Sequence, residues 1–172
     1  IDPIDEGEIR LDGELVRPKS ALQAKSDGIV MVPEERKSQG LVLSMSVEDN
    51  IALPYLEQYS TAGFINFRKI RQLTEDLIRE FDIHPAKSEI RTQNMSGGNQ
   101  QKVAIAKWVY EKHKVIVFDE PTRGVDVGAK AEIYRIMKDI AREGVGIIMI
   151  SSELTEIIGM SDRVIIMKEG AI

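Results

Sequence analysis

Val115-Ile116-Val117-Phe118-Asp119-Glu120-Pro121-Thr122 is the stretch from which the fold can be read. Four apolar residues, three of them β-branched, end abruptly in two acids, a proline and a threonine. Such a run reads as a buried parallel strand that leaves the sheet at Pro121, with its acids at the carboxyl end, where open α/β sheets place their ligands. Downstream come a turn at Arg123-Gly124-Val125-Asp126, a helical pattern over 129–142 and an apolar strand from Gly146 to Ile150. Ser151-Ser152-Glu153 then caps a short helix, and a last strand runs from Arg163 to Met167. Strand-helix alternation of this kind predicts right-handed βαβ units and a mostly parallel sheet.

Upstream, Asn94-Met95-Ser96-Gly97-Gly98-Asn99-Gln100-Gln101-Lys102 leads into the apolar positions Val103, Ala104 and Ala106. Ser96 is a good N-cap, the two glycines let a ligand approach the backbone, and free N–H groups with the helix dipole favour a phosphate. Taken alone, the same residues also describe a capped surface helix.

Earlier still, Asp12-Gly13 between Ile9, Leu11 and Leu15, Val16 predicts a β-hairpin over 8–18. A polar, helix-like piece lies around Ser20–Lys25. Gly28 to Val32 reads as a buried strand that Pro33 ends, followed by a charged turn at Glu34-Glu35-Arg36-Lys37. Ser46 with Asp49 resembles a capping box, and Val47, Ile51, Ala52 and Tyr55 share one helical face. Residues 59–64 read as a loop. Ile70, Leu73, Leu77, Ile78 and Phe81 mark an amphipathic helix over 67–81. Residues 46–93 are thus a helical insertion between strands.

Composition narrows the function classes. The 172 residues carry 23 basic and 28 acidic side chains, a formal charge of −5, so no basic excess points to nucleic acid. There is no cysteine, hence neither a disulfide frame nor a thiolate metal site, and the two histidines, His84 and His113, lie far apart and read as solvated or helix-end residues. No apolar run approaches the length of a membrane span.

Adjacent acids after a strand suit a nucleotide triphosphatase: Asp119 to hold Mg²⁺ and Glu120 to orient or deprotonate a water. With Ser96-Gly97-Gly98 one helix upstream and Asp126 in a Gly-Val-Asp turn downstream, the order resembles the nucleotide-binding domain of ABC ATPases, from Gly7 to Gly170. Three runs, 32–37, 94–102 and 123–130, more narrowly resemble the second half of the tandem ATPase subunits of bacterial ribose- and galactose-type sugar importers.

The resemblance implies a P-loop NTPase-like α/β core at 1–45 and 103–172, and a helical subdomain at 46–102 that meets membrane permease subunits. It implies that Ser96, Gly97, Gly98, Asn99 and Gln100 contact the γ-phosphate of ATP held by a second nucleotide-binding domain. It further implies that Asp119 and Glu120 are the Walker B acids, and that Asp126 couples the two sites. The location implied is the cytoplasmic face of the bacterial membrane.

Three departures accompany the matches. No Gly-x-x-x-x-Gly-Lys-Ser/Thr occurs, so the Walker A loop and strand, which the family places just before Ile1, are missing. Glu34 stands at the family's usual glutamine, and Ser152 at its switch histidine. The expectation is a degenerate site on this half, with the signature acting in trans and no ATP hydrolysis by this chain alone. The sheet should also lack a strand between 146–150 and 163–167, a gap to be closed by rearrangement or by self-association. The competing readings are a regulatory module docking on a partner ATPase, and a non-transport ABC ATPase.

Overall fold

The computed structural model describes residues 6–111 and 113–172; the expectation about the segment before Ile1 lies outside them. A hairpin of β1 (Ile9–Leu11) and β2 (Glu14–Val16) opens the chain. Its turn places Asp12 at φ 53° and Gly13 at φ 84°, the left-handed pair a two-residue hairpin loop requires. Helix α1 (Ala21–Asp27), capped by Ser20, delivers the chain through Gly28 at φ 93° to β3 (Ile29–Val32). A single π-helical turn at Arg36–Gly40 follows.

The insertion begins with α2 (Val47–Ala52). Ser46 Oγ accepts from the Asp49 N–H at 3.1 Å, and Asp49 Oδ2 accepts in return from the Ser46 N–H at 3.3 Å. The segment read as a loop holds a small antiparallel pair, β4 (Ser60–Thr61) and β5 (Phe64–Ile65), turned by Ala62 and Gly63 at positive φ. Helix α3 (Phe67–Glu80) buries Ile70, Leu77 and Ile78. Helix α4 (Gly97–Val109) then leads to β6 (Val115–Asp119), α5 (Val127–Arg142), β7 (Gly146–Ile150) and α6 (Leu154–Met160).

The main sheet is parallel, in the order β3-β6-β7. Val30, Val32, Ile116 and Phe118 point into one core with Val47 and Ile51 of α2, Leu77 and Ile78 of α3, Val103 to Ala106 of α4 and Ile133, Ile136, Met137 and Ile140 of α5. The insertion therefore shares the core of the sheet, and only a small satellite of Ala52, Tyr55, Tyr59 and Ile70 is its own.

One sequence expectation fails here. Residues 163–167 form no strand: among the described residues they have no ladder partner, and Val164, Ile165, Ile166 and Met167 are exposed. Of the two closures expected for the gap beside β7, rearrangement within the chain is not found among the described residues. The strands are also covered on one face only. On the other, the cross-strand row Met31, Val117 and Ile148 leaves its outer members 45% and 54% exposed, whereas parallel sheets are ordinarily covered on both faces.

Candidate functional site

Helix α4 is buried almost all round from Gln100 to Lys107, the mark of a central helix. Three of its polar side chains reach partners on other segments, while among the described residues Gln100 Oε1 is buried without one. Gln100 Nε2 donates to the Thr92 carbonyl at 2.9 Å, Lys107 Nζ to the Gly40 carbonyl at 3.0 Å, and Lys102 Nζ to the Asp82 carbonyl at 2.7 Å while pairing with Glu132 of α5 at 2.6 Å. Burial lowers the pKa of Lys107. These ties fix α4 to the π-helical turn, to the 82–92 segment and to α5, and its amino end is left facing out.

At that end Ser96 is exposed and caps the helix. Its Oγ accepts from the Asn99 N–H at 3.4 Å and from Asn99 Nδ2 at 3.0 Å, so its own O–H stays available as a donor. Asn99 Oδ1 accepts from the His84 N–H at 2.7 Å, tying the signature to the turn at 82–84. A cleft of about 260 Å³ opens here, lined by Ser96, Gly98, Asn99, His84, Asp126 and Gly128. Asp126 caps α5, its Oδ1 accepting from the Ala129 N–H at 3.0 Å. Two helix amino ends thus share one cleft, with the Ser96 and Asp126 side chains at its mouth.

The paired glycines have a cause that the sequence did not disclose. A Cβ on Gly97 would lie 2.7 Å from Arg36 Nη2, and one on Gly98 would lie 2.6 Å from the Cβ of Ala129. The space they free is filled by the chain itself, contrary to the expectation that it serves a ligand's approach. Arg36 is the side chain sequence reasoning missed. Its guanidinium donates to the carbonyls of Arg123 at 3.1 Å and Gly124 at 3.5 Å, bracing the 123–126 loop against Gly97. Burial pulls its pKa below the usual arginine value, with Glu35 opposing. No local signal could have shown this, because the contacts join residues 87 and 88 positions apart.

The acids lie at the other edge of the same loop. Asp119 ends β6, half-buried, and among the described residues no hydrogen bond engages its carboxylate. Glu120 adopts φ 45°, a conformation unusual for a residue with a side chain. Its N–H donates to the Ile150 carbonyl at 2.9 Å, and its Oε1 accepts from the Ser152 N–H at 2.8 Å. The Ser152 position therefore acts through its backbone. Glu34 is ion-paired with Arg123, so its carboxylate has a counter-charge in place. Among the described residues no group of three or more histidine, cysteine, aspartate or glutamate side chains converges as a metal cage. Magnesium held by one or two carboxylates together with nucleotide phosphates needs no such cage, and the free Asp119 carboxylate fits that use.

Two smaller readings are corrected. His113 is buried, its Nε2 3.4 Å from the Tyr55 hydroxyl and its ring edge-on to Trp108; His84 is exposed, as read. The Ser151-Ser152-Glu153 segment makes no side-chain capping bond to the backbone N–H groups of α6, whose N-cap is Glu153. Ser151 Oγ accepts from the Glu153 N–H instead, at 3.0 Å.

The family model described as "ABC transporter" matches residues 1–123. The ribose import ATP-binding protein RbsA of Geobacillus kaustophilus is 49% identical over 170 residues, 99% of this chain and 34% of the relative. RbsA of Bacillus subtilis is 46% identical over the whole chain and 35% of its own length. The chain thus spans about a third of the curated relatives it matches. Among solved structures, the ATP-binding cassette MJ0796 bound to ADP and Pi superposes with a TM-score of 0.71 at 20% identity, over 90% of this chain and 66% of that one. The ADP form of the cassette MJ1267 gives 0.72 at 20% identity, over 92% and 64%. At that identity the likeness establishes the fold.

Proposed function

The chain belongs to the ABC transporter family, and from that premise we propose that it is the energy-coupling part of a sugar importer's ATP-binding subunit, lending the Ser96–Gln100 end of α4 to an ATP held by a partner domain. The relatives' names, ribose import ATP-binding protein, support the sugar-import reading. The 32–37, 94–102 and 123–130 runs support assignment to the second half of a tandem subunit. The partner is then the first half of the same longer protein, and membrane permease subunits contact the 46–102 region on the inner face of the cell membrane. No helix among the described residues is long and apolar enough to cross a membrane.

The observation that carries the reading is the exposed, capped amino end of α4 facing a cleft shared with Asp126. Ser96 O–H and the first N–H groups of α4 are donors for a γ-phosphate. Asp126 presents a carboxylate across the cleft as the coupling residue. Asp119 would hold Mg²⁺, which neutralises charge on the phosphates when bound. Glu120 is oriented by the Ser152 N–H as a candidate base, secondary on this half. Without a phosphate loop, the chain by itself does not hydrolyse ATP.

In the full-length protein with its membrane partners, Ser96→Arg abolishes transport-coupled ATP hydrolysis while Glu120→Gln costs much less. Equal losses from the two substitutions would overturn the in-trans reading.

A further inference from the structure

Glu156 carries a carboxylate to which the reading above gives no role. It lies on the first turn of α6 and is only 3% exposed. Its Oε1 accepts from Thr122 Oγ1 at 3.1 Å, and its Oε2 from the Ser151 hydroxyl. Among the described residues no cation pairs with it: Lys130, the lysine of α5 nearest this loop, is engaged by Glu153 at 2.5 and 2.7 Å. The Tyr134 hydroxyl adjoins the group, and its pKa is raised, chiefly by burial, with the Glu156 charge adding to the rise. A carboxylate withdrawn from water with hydroxyls alone as partners is costly. Apolar packing could fill the same volume, so its position calls for an account.

The two hydroxyls belong to two different loops, and both loops end at the sheet's carboxyl edge. Thr122 follows Asp119 and Glu120, and its carbonyl accepts from the Val125 N–H at 3.2 Å to start the turn toward Asp126. Ser151 follows β7 and precedes Ser152, whose N–H holds Glu120. Further along the first loop, the carbonyls of Arg123 and Gly124 receive Arg36 beside Gly97. Beside the bond from the Ser152 N–H to Glu120, Glu156 joins these loops a second time, through Thr122 and Ser151.

We propose that Glu156 is a positioning residue: it clamps the 120–126 loop to the 151–153 loop, and through them sets Asp126 and Gly124 against the signature end of α4. The proposal rests on the functional reading given above. It assigns to Glu156 no contact with nucleotide.

The test uses the full-length protein assembled with its membrane partners, measuring kcat and KM for ATP hydrolysis beside thermal unfolding. Glu156→Ala and Thr122→Val each lower kcat about tenfold with KM changed less than about twofold, the pattern expected when a positioned group moves. Thr122→Ser keeps the hydroxyl, and Glu156→Gln can still accept from Thr122 and donate to Ser151, so both retain at least about half of the wild-type kcat. The double variant Thr122→Val/Glu156→Ala is no slower than the slower single, because both break one linkage. A purely structural role would lower the melting temperature and the folded fraction while leaving kcat per folded molecule unchanged. Wild-type kcat in Thr122→Val or Glu156→Ala, or losses that multiply in the double, would overturn the clamp. Should Glu156→Ala not fold, Thr122→Val against Thr122→Ser decides. If Ser96→Arg is harmless while Thr122→Val slows hydrolysis, the in-trans reading fails and the clamp stands. If Ser96→Arg abolishes hydrolysis and Thr122→Val does not slow it, the clamp alone is refuted.

Discussion

Gly98→Ala tests how closely α4 and α5 meet at the signature. Gly98 has no positive φ, so alanine fits its backbone, and helix preference alone would favour the change by about 0.5–1 kcal/mol. The new Cβ would stand 2.6 Å from the Cβ of Ala129, against about 3.5–4.0 Å for two carbons in contact. Both atoms are bonded directly to backbone, so the shortfall of about 1 Å must come from moving α5 and the Asp126 cap away from α4. Overpacking of this kind costs about 1–3 kcal/mol, leaving a net loss of about 1 kcal/mol after the helix gain. Urea denaturation followed by the fluorescence of Trp108, the single tryptophan, measures it. Gly159→Ala is the control, because no atom lies within 4 Å of a Cβ on Gly159 in α6; it gains up to about 1 kcal/mol. Adding Ala129→Gly to Gly98→Ala removes the clash and yields a favourable coupling of about 1 kcal/mol or more. A Gly98→Ala variant as stable as Gly159→Ala, or a double variant without coupling, would refute the close approach.

Burial holds the pKa of His113 below that of a free imidazole, with Glu111 opposing and Lys25 adding to the drop. The unfolded chain therefore binds the proton more readily: the contribution to stability is present above about pH 6.5 and is lost as pH falls through the depressed folded value. His113→Gln flattens the stability slope measured by urea titration across that range, and an unchanged slope would show another group to be responsible. Ser46→Ala removes the hydroxyl half of the α2 capping box and leaves the Asp49 carboxylate on the backbone N–H of residue 46; it costs about 0.5–2 kcal/mol in the same denaturation, and no change would mean that the hydroxyl adds nothing to α2. With β7 unpaired on one side among the described residues and Ile148 and Ile150 exposed, the chain by itself self-associates in sedimentation at tens of micromolar, and Ile148→Lys lowers its mass toward the monomer. A monomeric, thermally robust chain would contradict this.

Where one segment's own chemistry sets its form, the structure could be read from sequence. Asp12-Gly13 demands its hairpin whatever surrounds it, Ser46 and Asp49 satisfy one another within a single turn, and β6 ends where Pro121 must end it. Ser96, Asp119, Glu120 and Asp126 can be picked out as candidates because those residue types at that spacing suit phosphate and Mg²⁺ chemistry. What could not be read depends on neighbours distant in sequence. Arg36 meets the 123–124 carbonyls and Glu156 meets Thr122 across 34 positions, and no periodicity encodes such pairs. Residues 163–167 show the converse. Their composition favours a strand, but strand formation is a property of pairing, and among the described residues no strand pairs with them. His113 was misjudged for a related reason: a histidine beside charged residues looks solvated until Tyr55 and Trp108 close over it.

The geometry bears on the division of labour between the two ends of the site. At the acid end, Glu120 already spends one oxygen on the Ser152 N–H, and Glu34 is neutralised by Arg123. Among the described residues no cationic side chain bonds Glu120, and a phosphate near Glu120 would meet a backbone N–H that is already engaged. At the signature end the donors remain open, since Ser96 uses only its acceptor capacity within the chain. Arg36 also places a cation beside Gly97 without filling the cleft. An end that keeps its donors free and its supports buried is suited to receive a phosphate, whereas an end whose groups satisfy one another must first break those contacts. That asymmetry favours Ser96 over Glu120 as the residue whose loss stops transport-coupled hydrolysis.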